Sequence, residues 1–393
     1  MCTFFHDERA DCSQFETSRK MLEFTPETAL SYTKFSVALM FTWPPWPEAS
    51  RIVKILFEAL SWIFIGISLL LVVLLCNASV YQLDDYLLFT KTMCLAVSSS
   101  QAVIKMLVCK GQRSRLEVKD FLKSAEPRER RMLQRYVDRC VPVHLAVNVC
   151  SLVASIAMIC GPLVLPEPLP TTAKYPFSVD DHPSRDLAYL HQAIAGLQCA
   201  GIGSVDCQVA LLIWFAGARL ELLANEFQNV SNAHEFNACV TKHQNLLKNT
   251  EEMVRAVRYV VLTTAMMTTL SIIFGGIHIV SQEPLLVKSQ FLIIDVGFAS
   301  ILFISAWPAE NLLSCTAVGR GAYNSPWIKD SPAVRKNLTF VLHRSQKPTV
   351  ISVGSLLPEL SLAYYSSFLS KTFSFFTTLR VIIGKASVAQ RRL

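Results

Sequence analysis

Seven long stretches of this chain are dominated by apolar residues, and short polar links divide them. The strongest is Ile55 to Cys76, with LFEALSWIFIGISLLLVVLLC as its body. The second runs from Tyr86 to Cys109, the third from Cys140 to Cys160, the fifth from Tyr259 to Val280 and the sixth from Leu285 to Trp307. The fourth, Leu187 to Phe215, keeps its helical character to about Phe227. A membrane-crossing helix needs about 20 residues at about 1.5 Å each, and every stretch is long enough. The seventh, Ser355 to Ile383, differs: aromatic residues alternate with serine and threonine, and Glu359, Lys371 and Arg380 are charged. A helix half apolar and half hydroxylated suits a place between other helices or beside water in a pore. Pro26 to Phe41 is too short to span and ends in the Trp43 to Pro47 tryptophan-proline turn, so a helix at the membrane surface is expected there.

The polar links set the orientation. Ten lysines and arginines lie between Lys110 and Arg139, none between Asn77 and Asp85, and only Lys174 and Arg185 between Gly161 and Asp186. Basic links stay in the cytoplasm. The expected fold is therefore an all-α membrane protein of seven transmembrane helices, amino terminus cytoplasmic and carboxy terminus extracellular. Only the carboxy-terminal Lys385, Arg391 and Arg392 disagree. A G-protein-coupled receptor has the opposite orientation and would put the acidic, lysine-free Asn77–Asp85 link in the cytoplasm. Residues Arg113–Arg139, Glu235–Arg258 and Ser331–Gln346 carry charges of both signs and are expected to extend the helices into an intracellular layer. The regions are then 1–54, a cytoplasmic tail and surface helix; 55–309, spans one to six; 310–354, a cytoplasmic anchor; 355–383, the seventh helix; and 384–393, an extracellular tail.

Composition supports this. The chain is 52% hydrophobic and 17% charged, with mean hydropathy +0.37, against about 25% charged in a soluble domain. The net charge of +7 sits beside apolar spans and does not point to nucleic acid. The twelve cysteines form no CxxC pair, and no glycine-rich phosphate loop, HExxH, GxSxG or spaced Cys/His set is present, so neither an enzyme, a cofactor nor a metal site is expected. Asn77-Ala-Ser79 is a glycosylation sequon close to the membrane on the expected outer side.

Several positions are candidates for a site. Phe89, Met93, Met158, Met266, Phe274 and Phe291 place flexible apolar and aromatic groups in the outer halves of spans two to six, which suits either a ligand with few hydrogen-bonding groups or a helix core. Tyr189, Gln192 and Gln198 are candidate polar contacts beside them. Glu58, Lys105 and Asp206 lie near expected inner ends, where snorkelling or interfacial pairing accounts for a charge. Asp295, near mid-depth in the sixth span, is either a buried hydrogen-bonded helix partner or part of a ligand or ion path.

The carboxy-terminal third carries a resemblance. AYNSPW at Ala322 to Trp327, followed by VLHRSQKPTVISVGSLLPELSLAYYSSFLSKTFSFFTTLR from Val341 to Arg380, closely resembles the signature of insect odorant receptors. HQAIAGLQC at His191 to Cys199, ARLELLANEF at Ala218 to Phe227 and the YPF…HP segment at Tyr175 to Pro183 extend it over most of the chain, in a form similar to an expanded clade of ants, bees and wasps. The resemblance implies a tuning subunit of a tetrameric, ligand-gated, non-selective cation channel. It would assemble with the Orco co-receptor in the plasma membrane of olfactory neuron dendrites and take a volatile or hydrocarbon-like odorant or pheromone among spans two to six. The seventh helix would line the pore, with Thr378, Val381 and Ile382 on the pore face by alignment of Phe375-Phe376. Lys371 departs from the small hydroxyl usual at its place: it points into the inner vestibule or swings back to an acid such as Asp295. Gustatory receptors are the nearest alternative, but the Gln-Phe that ends their last helix is Val381-Ile382 here. A transporter is the other alternative, which no internal repeat favours. The Orco protein itself carries a long insertion where Phe215 to Tyr259 is short.

Overall fold

A computed structural model of the chain describes residues 25–38, 49–112, 127–163, 168–313, 317–325 and 332–390. The expected amino-terminal tail, the Trp43–Pro47 turn, residues 113–126, Pro326, Trp327 and the side chain of Ile382 lie outside the described residues.

Among the described residues the fold is helical throughout; the nearest thing to a strand is one isolated bridge, Val353 to Leu357. The helices are α1 (Pro26–Ala38), α2 (Arg51–Val80), α3 (Tyr86–Gly111), α4 (Pro127–Ile159), α5 (Ser184–Gln228), α6 (Ala233–Val280), α7 (Leu285–Leu313), α8 (Ala317–Tyr323), α9 (Pro332–Ser345) and α10 (Leu362–Gln390). Six of them, α2 to α7, are long and apolar enough to cross a membrane. Their short links make sequential helices antiparallel. One end of the bundle therefore gathers the basic links; the other holds the links 81–85, 160–183 and 281–284.

The six apolar stretches sit within these helices, and the differences are at the ends. The fifth stretch and the charged Glu235–Arg258 segment form one continuous 48-residue helix, α6. Nothing between them breaks it: no proline interrupts the run, and Asn232 caps its start by accepting from the Glu235 amide at 2.9 Å. At the carboxy-terminal end the reverse holds. The helix starts at Leu362 rather than Ser355, because Gly354 takes a positive φ of 49° and residues 351–360 close into a turn with paired backbone. Pro358 keeps Leu357 out of helical conformation as well.

The centre of the bundle is α5. Of its most apolar window 94% is buried, against 17% for that of α4. A helix apolar on all sides needs neighbours on all sides, and glycines allow them close: the Met158 methyl packs over Gly196, and Val147 over Gly203. An aromatic chain crosses from α4 to α10 through Tyr136, Trp214, Trp307, Phe303 and Tyr365, with ring centroids 5.2 to 5.8 Å apart.

At the basic end, α9 is tied to α6 by Arg344–Glu251 at 2.8 Å and Asn337–Asn237 at 2.9 Å. The short α8 lies so close to α5 that a side chain at Gly321 would strike the Ala224 backbone. Glu58 forms an interfacial pair with Lys110 at 2.6 Å. Lys105 and Asp206 do not snorkel: they are wholly buried and paired with each other, with the Thr264 hydroxyl donating to the same carboxylate at 2.7 Å. Snorkelling needs open water at the end of the side chain, and packing of α3, α5 and α6 removes it.

Candidate functional site

The polar candidates lie at the end away from the basic links, where the link ahead of α5 folds back over the bundle. Gln192, buried on α5, accepts from the Thr171 amide at 2.8 Å and donates to the Tyr175 hydroxyl at 3.4 Å. Tyr175 also bonds His191 at 2.8 Å, and His191 reaches the Ile67 carbonyl of α2 at 3.0 Å. Burial raises the Tyr175 phenol above its ordinary pKa, so it stays a donor. Tyr189 donates to the Ile159 carbonyl at 2.9 Å and fastens α5 to α4. Gln198 accepts from the Ser68 hydroxyl and donates to the Phe64 carbonyl at 3.2 Å, fastening α5 to α2. All three candidate polar contacts thus hold helices and the link together.

The apolar candidates fall in separate places. Phe89 and Met93 are half-buried one turn apart on α3, and Phe274 is half-buried on α6. α3 and α6 are joined beside Phe89, where Thr90 and His278 meet at 3.1 Å. Met158 sits in the α4–α5 contact. Met266 is 49% exposed on the outer face of α6, away from the rest.

A further group was legible only in part. Asp295 of α7 is 7% exposed, and neither carboxyl oxygen has a hydrogen-bond partner among the described residues. It is not the hydrogen-bonded helix partner that was one of its two readings, and it does not pair with Lys371. Its carboxyl lies against Gly275, where any Cβ would collide with it. On the same stripe of α6, the buried hydroxyls of Thr268 and Ser271 are also unpartnered among the described residues. One turn beyond Gly275, His278 stacks flat on Phe291 of α7, 4.0 Å between centroids. The spacing Thr268, Ser271, Gly275 marks one helical face, but its polarity was hidden in an otherwise apolar run.

Beside this junction stands α10. Its first turn is anchored: Glu310 of α7 accepts from the Leu362 amide at 3.0 Å, and Tyr364, Tyr365 and Phe368 pack on the main core. Further along, the Phe376 ring lies directly over Gly276 of α6. The opposite side is open in a single chain: Phe373, Thr378, Lys371 and Val381 are exposed, Val381 by 56%.

Comparison with known proteins bears on the whole arrangement. The profile described as "7tm Odorant receptor" matches residues 72–373. Odorant receptor Or2 of Anopheles gambiae is 33% identical over 82 residues, 21% of each chain. Odorant receptor 67a of Drosophila melanogaster is 23% identical over 209 residues, 50% of this chain and 51% of that one. The chain spans between about a sixth and a half of the length of the curated relatives it matches. The solved structure of insect olfactory receptor OR5 from Machilis hrabei, in complex with eugenol, superposes with a TM-score of 0.78 at 15% identity, covering 90% of this chain and 97% of that one. With its fold and most of its length matched, this chain belongs to the seven-transmembrane odorant receptor family.

Proposed function

We propose that the chain is the odorant-binding subunit of a ligand-gated, non-selective cation channel, assembled as a heterotetramer with the Orco co-receptor in the plasma membrane of olfactory neurons. The basic end of the bundle is cytoplasmic and the carboxy terminus is outside. The carrying observation is α10: among the described residues it packs chiefly on α6 and α7 and leaves a stripe of hydroxyl, apolar and cationic residues open. Such a helix fits one wall of a pore shared by several subunits, with Thr378, Val381 and Ile382 toward the conduction path and Lys371 in the vestibule. The ligand lies among α3 to α7 at the outer half, near Phe89, Met93 and Phe274. Met158, Tyr189, Gln192 and Gln198 border it from α4 and α5, and Met266 stands at its outer limit. Most of its binding energy comes from buried apolar area, at about 25 cal/mol per Å².

The test is co-expression with Orco and whole-cell recording during presentation of an odorant panel. The reading expects odorant-evoked cation currents that Orco alone does not give. Surface-labelled heteromers that pass no odorant-evoked current for any compound would overturn it.

A further inference from the structure

The geometry points to a hydroxyl-bearing odorant, an aliphatic alcohol, held between α6 and α7 with its hydroxyl on Asp295. This rests on the reading of the chain as an odorant receptor subunit and narrows its ligand from hydrocarbon to alcohol.

Three observations converge. First, many helical hydroxyls of this protein bond back to the preceding turn, among them Thr250 to Leu246, Thr263 to Tyr259, Thr269 to Ala265 and Ser300 to Val296, each at 2.8 Å. Thr268 and Ser271, in the same helix as three of these, have no partner among the described residues, although both are buried. Second, the Asp295 carboxyl sits against that face of α6, filling the place that a side chain at Gly275 would take. The antiparallel register places Gly275 beside Asp295 and His278 beside Phe291, so the unpartnered groups share one seam. Third, the seam is closed at one end by the stacked His278–Phe291 pair, itself held by Thr90. Buried polar groups without partners are costly, and three on one seam call for an occupant that can both donate and accept. An alkane does neither. An ether only accepts. An alcohol gives its proton to a carboxyl oxygen of Asp295 and accepts from the Ser271 hydroxyl, one turn along α6, while its chain runs past Thr268 on the apolar side chains of α3 and α6.

The experiment compares 1-octanol, methyl heptyl ether and octane on the full-length chain purified in detergent, by thermal stabilisation over a concentration series, and on Orco co-expressing cells by dose-response. Octanol is expected to act at a concentration about tenfold lower than either comparison compound, the worth of about one hydrogen bond. Asp295→Leu should abolish that ratio while raising the melting temperature of the unliganded protein, because it removes a buried unpartnered carboxyl. Ser271→Ala, which keeps the helix, should reduce the ratio by a smaller factor. Equal potency of octanol and octane, or an unchanged ratio in Asp295→Leu, would overturn the proposal; the second is the result if water alone satisfies these groups. Octanol matched by the ether would remove the donor role assigned to its hydroxyl. Because thermal stabilisation needs no channel, octanol selectivity in the purified chain without evoked current would count against the channel reading alone.

Discussion

At the scale of single residues, Lys105 and Asp206 show how far a sequence speaks. Their rarity in apolar helices marks both for attention, but nothing in either segment says that they meet, or that Thr264 completes the arrangement. Pairing across helices is a property of packing, which periodicity does not encode. Breaking a buried pair by removing one partner strands the other charge at about 3–5 kcal/mol, whereas replacing both with apolar groups is often neutral. Lys105→Met or Asp206→Leu alone should therefore lower the melting temperature and surface expression sharply, and the double variant should recover most of both. If the single and double variants melt alike, the pair contributes nothing specific. Asn77 makes the complementary case. The sequon is plain in the sequence, yet α2 runs through it to Val80, and the buried Ser79 hydroxyl donates to the Cys76 carbonyl at 2.8 Å. A sequon wound into a helix at the membrane is a poor acceptor. We expect endoglycosidase to leave the electrophoretic mobility of the full chain unchanged; a shift that vanishes in Asn77→Gln would show occupancy.

At the scale of elements, the hydrophobic runs placed the six apolar helices because each carries enough apolar length to need burial in a membrane or a core. The ends were less legible, since they depend on caps and turns: the helical Glu235–Arg258 extension was expected and forms part of α6, but α10 loses its first turns to the Gly354 turn and Pro358. Close approaches were not legible at all, because a glycine reads the same whether or not a neighbour lies on it. Gly275 and Gly276 are adjacent on α6, yet one is covered by the Asp295 carboxyl and the other by the Phe376 ring of α10. A movement at the Asp295 seam therefore bears directly on the last helix. Gly276→Ala should push Phe376 aside and shift the odorant dose-response at least severalfold or produce standing current, while Gly66→Ala, at a glycine with open space around it, should leave both unchanged. Identical dose-response curves for Gly276→Ala and the parent would dissociate this contact from gating. At the basic end, Gly321→Ala should be more severe, because the obstacle is the Ala224 backbone, which cannot rotate away. The expected readout is loss of surface labelling.

At the scale of the whole molecule, the proposed orientation rests on the charge distribution along the links, and the proposed channel rests on α10. Orientation is checked by epitope tags: one after Leu393 should be reached by antibody on intact cells, and one before Met1 only after permeabilisation. The same argument carries Lys371, which is exposed on α10 and has no ion pair among the described residues. Asp295, the acid it was weighed against in the sequence, is instead buried without partner beside Gly275. Gly275 neighbours Gly276, which Phe376 covers, so Asp295 stands roughly level with Phe376. Five residues separate Phe376 from Lys371, about 7.5 Å along the helix toward the basic end. Lys371 lies two turns before Thr378 on roughly the same stripe, so if Thr378 faces the conduction path the lysine ammonium stands in the vestibule on the cytoplasmic side. A fixed cation there repels permeating cations, but salt screens it over about 8 Å, and in the proposed heteromer co-receptor subunits would supply the rest of the wall. The effect should be modest and should grow as ionic strength falls. Lys371→Thr with Orco is thus expected to raise unitary conductance by tens of per cent at physiological salt and by more in dilute salt, with surface expression unchanged. Equal conductances at both ionic strengths would take Lys371 off the conduction path and turn the open face of α10 toward lipid or a neighbouring subunit.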